Sequence, residues 1–264
     1  MRDIGLNFGA VTIALILINV AVFFAVQVPD TTGYYDLDWG KDCSPCKQEP
    51  NAIYQGEYYI CPESAETRGG YDIDYCQKLP GNCCQWTRTD RLSLIPKYAF
   101  QEPWLFITSM FMHADMGHLL GNMLFLFLLG GIAENMMGRR DYIIMYFAAG
   151  IFGGIVMIFM AQMGVIGDTT PVLGASGAIF GVVAAAALFK PWDIIYMYYV
   201  PMPLILLGII FLGKEIYYIS IGGEAGVANG AHLGGAIIGI IFAIYYLKFK
   251  EKKRKVVYRY GRDY

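Results

Sequence analysis

The chain has 264 residues, of which 56% are hydrophobic and 16% charged. Soluble domains carry roughly 45–50% apolar and about 25% charged residues, so both shifts point away from an ordinary soluble enzyme and toward a membrane protein. The formal net charge of −2 conceals two blocks of opposite sign: residues 28–96 hold 11 Asp/Glu against 6 Lys/Arg, and residues 248–264 hold 8 Lys/Arg against 2 Asp/Glu.

A membrane-spanning helix needs roughly 20 mostly apolar residues. Residues 6–28 contain no charge and read as the first span, giving a first unit over 1–28. A signal peptide is the alternative, but the apolar run is long for one and no small-x-small cleavage site precedes Pro29. Residues 29–103 read as a folded polar insertion containing Cys43, Cys46, Cys61, Cys76, Cys83 and Cys84. An even count in one extracytoplasmic segment favours three disulfides. The Cys43-Ser-Pro-Cys46 spacing leaves a zinc site open, although a closed site usually needs a second such pair or two histidines. Fewer than 80 residues with few aliphatic side chains need staples of some kind.

The membrane pattern resumes in a core over 104–249, with further spans expected at 118–136, 142–163, 176–189, 200–212 and 230–249. The spans at 176–189 and 200–212 are short, and short spans suit the lining of a polar cavity rather than a lipid face. Residues 250–264 form a basic tail. A nucleic-acid partner is one reading of such a tail, but after a membrane helix it reads as a cytoplasmic stop, and no nucleic acid is expected. Six spans put both termini on one side, together with Arg2, Arg139, Arg140 and Lys190, whereas the loop 164–172 carries no Lys or Arg. The positive-inside rule then places both termini in the cytoplasm and the cysteines outside the cell or in a lumen, with the cell membrane as the expected location.

The three histidines, His113, His118 and His232, all lie in or beside spans. Ionisable groups at membrane depth are costly and are functional candidates by default, although one alone can be a packing hydrogen bond. Gly174-Ala175-Ser176-Gly177 opens the fourth expected span. Small residues there serve helix packing equally well. A serine at a helix N-terminus, however, sits among unpaired N–H groups able to bind an oxyanion. A serine nucleophile needs a base. His232, Gly235 and Gly239 share one face of the last span, and Gly177 and Gly181 offer a small face on the fourth, so contact between the two faces would bring His232 to Ser176. Packing alone is expected to fix the imidazole, with Phe180 stacked on it. Gly234, about 100° around the helix, is expected off that contact. His118 and Asn122, spaced i, i+4, share a face and can donate to an oxyanion, although Asn122 also suits capping or packing.

These stretches resemble the rhomboid family of intramembrane serine proteases. The resemblance lies in Gly174-Ala175-Ser176-Gly177, in Ala231-His232 with Gly235 and Gly239, and in His113 to His118 followed by Asn122. It extends to 104–111 and to Gly130-Gly131 with Glu134 and Gly138, covering roughly residues 100–245 plus the first helix. Leu105 stands where the family often has Arg after the loop Trp, and the Cys-rich insertion exceeds the ordinary loop length. The resemblance implies an all-α polytopic membrane protein, a six-transmembrane-helix rhomboid-like bundle with a Cys-rich extracytoplasmic insertion. It implies Ser176 as nucleophile and His232 as general base, with His118, Asn122 and the Ser176 N–H as oxyanion hole. It also implies a site opening to the extracytoplasmic side, single-pass transmembrane substrates in the lipid bilayer, and no metal or cofactor. A catalytically inactive rhomboid-like binding protein and a transporter are the rival readings. The first should lack the nucleophile or the base, and the second should show paired intramembrane charges or an internal repeat.

Overall fold

The computed structural model describes residues 9–28, 53–54, 59–60, 89, 92–168, 170–197, 199–222 and 227–250. The six cysteines and residues 251–264 of the basic tail lie outside the described residues. The helices are α1 (Ala10–Val22), which runs on as a π-helical turn over Phe23–Gln27, α2 (Leu105–Thr108), α3 (Met116–Met137), α4 (Arg139–Gln162), α5 (Ser176–Phe189), α6 (Leu204–Ser220) and α7 (Asn229–Tyr245). Two short antiparallel hairpins accompany them: β1 (Ile53–Tyr54) with β2 (Tyr59–Ile60), and β3 (Ile194–Met197) with β4 (Val200–Pro203). Among the described residues, four helices are long and apolar enough to cross a membrane: Ala10–Gln27, Met116–Met137, Arg139–Gln162 and Asn229–Phe249. The molecule is a helical polytopic membrane protein.

Helix α5 has only 14 residues, and 11 of them are buried. An all-round apolar helix is stable only when neighbours cover every face, and α3, α4, α6 and α7 all pack on it. Alanines and glycines set how close they come. A Cβ at Gly235 would overlap the carbonyl oxygen of Gly177, and one at Gly239 would overlap that of Gly181. Helices α5 and α7 therefore run side by side in the same direction, in backbone contact. Close approach of this kind is what small residues contribute in a bilayer, where apolar burial gives no drive between helices.

Gly234 departs from the expectation. A Cβ there would lie 3.0 Å from Gly153 Cα and 2.9 Å from Val156 Cγ2. A second glycine face of α7 thus packs on α4, which runs antiparallel to it, and both sides of the helix are committed.

Two polar clamps fix α1. At one end, Glu134 of α3 accepts from Val11 N (3.1 Å), Thr12 N (2.9 Å) and Thr12 Oγ1 (2.9 Å). These include first-turn amides that have no partner within the helix. At the other end, Gln27 donates through Nε2 to the His113 carbonyl (2.6 Å) and accepts from His113 N at Oε1 (2.9 Å). Gly138, at φ +82°, makes the corner between α3 and α4, a conformation that costs glycine little.

The fifth expected span, 200–212, is displaced. Val200 to Pro203 form a strand, and the helix runs Leu204–Ser220. Pro201 and Pro203 explain the start: each lacks an N–H and biases its predecessor toward extended backbone. The expected end at 212 stopped short of Lys214 and Glu215, but the helix continues because Glu215 is buried and partnered inside the bundle. Residues 92–103, assigned to the insertion, belong partly to the bundle. Leu94 pairs with Val172 through backbone bonds of 2.9 and 2.8 Å, and Leu94, Ile95 and Ala99 are buried.

Candidate active site

Ser176 is the first residue of α5, and the turn before it sets its direction. Gly174 has φ +113°, a region that disfavours a side chain. Its N–H donates to the Ser109 carbonyl at 2.8 Å, which ties the turn to the α2 segment. A Cβ on Gly174 would come within 2.9 Å of His118 Nε2. Gly174, expected in helix packing, is therefore a turn residue that makes room for the imidazole of α3. The first-turn amides of α5 have no intrahelical partners, as at any helix N-terminus.

His232 lies in the first turn of α7. Its Nε2 is 2.8 Å from Ser176 Oγ. Phe180, one turn beyond Ser176, stacks on the imidazole with centroids 4.2 Å apart and planes 5° from parallel. The backbone contacts at Gly177–Gly235 and Gly181–Gly239 hold the two helices in the register that aligns this pair. Ser176, Gly177, Phe180, His232, Gly235 and Gly239 are thus brought together.

On α3, Asp115 caps the helix by accepting from His118 N at 2.8 Å, an N-cap worth roughly 1 kcal/mol. The cap places His118 in the first turn. His118 Nδ1 accepts from Ala114 N at 3.3 Å, which leaves Nε2, on the side of the ring beside Gly174, to carry the proton. His113 packs edge-on against the His118 ring, centroids 5.2 Å apart. Asn122 is buried one turn further along α3, and its Nδ2 has no hydrogen-bond partner among the described residues. A buried donor left unpaired costs about 1–3 kcal/mol, so the Asn122 amide is a candidate donor to a bound carbonyl oxygen.

A cleft of about 350 Å³, open solvent included, lies beside Ser176, lined by Met110, Gly150, Gly154, Val172, Gly177 and Ala231 among others. Its floor is mostly small residues from α4, α5 and α7.

Sequence reasoning missed Glu215. It lies on α6 with 1% of its surface exposed. Its Oε2 is 3.2 Å from His232 Nδ1 and accepts from Asn229 Nδ2 at 2.6 Å. The approach to Nδ1 is not aligned as a full hydrogen bond, so at rest it is an electrostatic contact. A signal was present: Leu207, Phe211 and Glu215 recur at four-residue spacing, which puts the carboxylate on an apolar, inward face. Among the described residues no group of three or more His, Cys, Asp or Glu has a metal-binding arrangement.

Residues 101–249 match the family described as Rhomboid domain, more than half of the chain. The chain is 34% identical over 150 residues to RHOMBOID-like protein 12, mitochondrial, of Arabidopsis thaliana, covering 51% of this chain and 44% of that protein. It is 28% identical over 180 residues to Rhomboid protein 1, mitochondrial, of Saccharomyces cerevisiae, covering 64% and 49%. It is 29% identical over 174 residues to Rhomboid protease AarA of Providencia stuartii, covering 57% and 58%. The chain thus spans about half the length of the curated relatives it matches.

Proposed function

This chain belongs to the rhomboid family, and from that premise we propose that it is an intramembrane serine endopeptidase acting through Ser176 and His232. The observation that carries the reading is the 2.8 Å separation of Ser176 Oγ and His232 Nε2 at a helix N-terminus. A catalytically inactive member has no need of that alignment.

His232 Nε2 takes the hydroxyl proton as Ser176 Oγ bonds to the scissile carbonyl carbon, and the carbonyl π pair moves onto oxygen. The resulting oxyanion is met by the Ser176 N–H at the helix N-terminus, with His118 and Asn122 of α3 as the further donors this reading assigns to it. The C–N bond then breaks and Nε2 returns its proton to the leaving amine. Water, deprotonated by the same nitrogen, then adds to the acyl carbon; the acyl C–Oγ bond breaks and Nε2 returns that proton to Ser176 Oγ. The substrate is a single-pass transmembrane helix, unwound near the outer membrane boundary. Small side chains at the cut suit the glycine-floored cleft beside Ser176.

The orientation follows from charge. Ser176 and His232 sit at the end of the bundle opposite Arg139 and Arg140, because α4 runs antiparallel to α7. Both termini are cytoplasmic and the site opens to the extracytoplasmic side, with six spans in all and the cell membrane as the location. Short α5 and charge-bearing α6 complete the count.

The test uses purified full-length protein in detergent, a fluorophosphonate probe, and a panel of single-pass helices bearing Ala, Gly or Pro near one end. Wild type should label and cleave, and Ser176→Ala and His232→Ala should do neither. Cleavage unchanged in either variant refutes the reading.

A further inference from the structure

His232 has two nitrogens with opposite tasks. Nε2 must carry a lone pair toward Ser176 Oγ, 2.8 Å away, so the single proton of the neutral ring must sit on Nδ1. Phe180 lies flat on the ring and restrains its plane. A stacked ring does not choose between tautomers, because both present the same face. The group that distinguishes them is the one at the Nδ1 edge.

That group is Glu215, with Oε2 3.2 Å from Nδ1. Asn229, one turn before His232 on α7, donates from Nδ2 to the same oxygen at 2.6 Å. The amide thereby fixes where the carboxylate lies. An ionised carboxylate only accepts, so it favours a proton on Nδ1. Burial removes the water that would otherwise compete for that proton, with Glu215 1% and His232 8% exposed.

We propose that Glu215 is a positioning residue that extends the Ser176–His232 pair into a three-membered relay, holding the Nδ1–H tautomer and stabilising the imidazolium formed as Ser176 attacks. Glu215 itself takes no proton: the transferred proton stays on Nε2 until the leaving amine accepts it. The contact, unaligned at rest, tightens when the ring becomes charged, as catalytic hydrogen bonds do on leaving the free state. This inference rests on the serine endopeptidase reading. It adds a carboxylate from α6 to a site otherwise built on α3, α5 and α7.

A purely structural tie between α6 and α7 makes a different prediction. Glu215→Gln keeps the length and one accepting oxygen, so a tie would survive it. Turnover of the cleaved helix panel by full-length wild type, Glu215→Gln and Glu215→Asp decides between them. For Glu215→Gln we expect kcat to fall by on the order of 10²-fold, short of the ~10⁴ seen when the triad acid of soluble serine proteases loses its charge. KM and the detergent melting temperature should hold, and Glu215→Asp should recover part of kcat. A Glu215→Gln kcat within about 3-fold of wild type overturns the proposal. A second measurement needs no turnover: ¹⁵N-histidine spectra of the Ser176→Ala protein, with His232 assigned by its own substitution. The Nδ1–H tautomer should dominate and give way to a mixture with Nε2–H when Glu215→Gln is added. An Nε2–H tautomer beside an intact Glu215 refutes the proposal alone. If wild type neither labels with fluorophosphonate nor cleaves, the endopeptidase reading fails instead, and the spectra still decide the Glu215 contact.

Discussion

Gly235→Ala puts the backbone contact between α5 and α7 to a single-atom test. The added Cβ would overlap the Gly177 carbonyl oxygen and come within 2.7 Å of its carbon and 3.4 Å of its Cα. All three atoms are backbone of a buried helix, so no rotamer can clear them. The helices must separate by roughly 1 Å or more to restore ordinary contact, and overpacking of this kind costs about 1–3 kcal/mol. Ser176 is the residue before Gly177, and His232 precedes Gly235 by one turn on the same face. The 2.8 Å Nε2–Oγ separation therefore lengthens by nearly the same amount and leaves hydrogen-bond range. Misplacement of about 1 Å at reacting groups costs on the order of 10²-fold in rate. Gly235→Ala should thus insert in the membrane, melt at a lower temperature, and lose about two orders of magnitude in kcat/KM on the helix panel, with fluorophosphonate labelling slowed in parallel. Gly213→Ala on α6 is the control, because a Cβ there meets nothing within 4 Å, and it should melt no lower than wild type. Gly235→Ala with wild-type labelling and turnover would show that this contact does not align the pair.

Asn122→Ala should slow kcat on the order of 10²-fold with KM little changed, since an oxyanion donor acts mainly in the transition state; steady-state cleavage measures the split, and a KM-only effect would make Asn122 a substrate contact. Glu134→Ala should lower the detergent melting temperature while sparing the kcat of the folded fraction, because it strands the Val11 and Thr12 amides, at about 1–3 kcal/mol for each buried donor left unpaired. Thiol labelling of oxidised, denatured protein should find no free cysteine, and reduction should expose all six; full labelling without reductant, with zinc released, would favour a metal site and reverse the assignment of that segment to the outside.

The helices α3, α4 and α7 were legible in the sequence to within a few residues. Long apolar runs ending at charges or glycines are a local property, and the bilayer imposes their length. The small faces of α5 and α7 were legible for a similar reason: Gly235 and Gly239 share a face whatever lies opposite. The start of α6 was not. Val200-Pro-Met-Pro203 is apolar enough to pass as helix, and only the prolines argue for the strand that forms, paired with Ile194–Met197.

What tertiary structure alone decided is which faces meet. Gly234 looks free on a helical wheel because the wheel holds one partner, whereas packing between α4 and α5 gives α7 two. Glu215 looks like the polar end of a span because a charge beside Lys214 resembles a membrane boundary. Its burial depends on Asn229 and His232, which are 14 and 17 residues away in sequence. A lone carboxylate in an apolar helix is costly, and its cost is met only by partners on another helix. The sequence by itself thus determined that Ser176 and His232 lie on two small-faced helices. The edge-on neighbour of the imidazole was settled only by three-dimensional packing, because hydrogen bonds between helices leave no periodic trace along the chain.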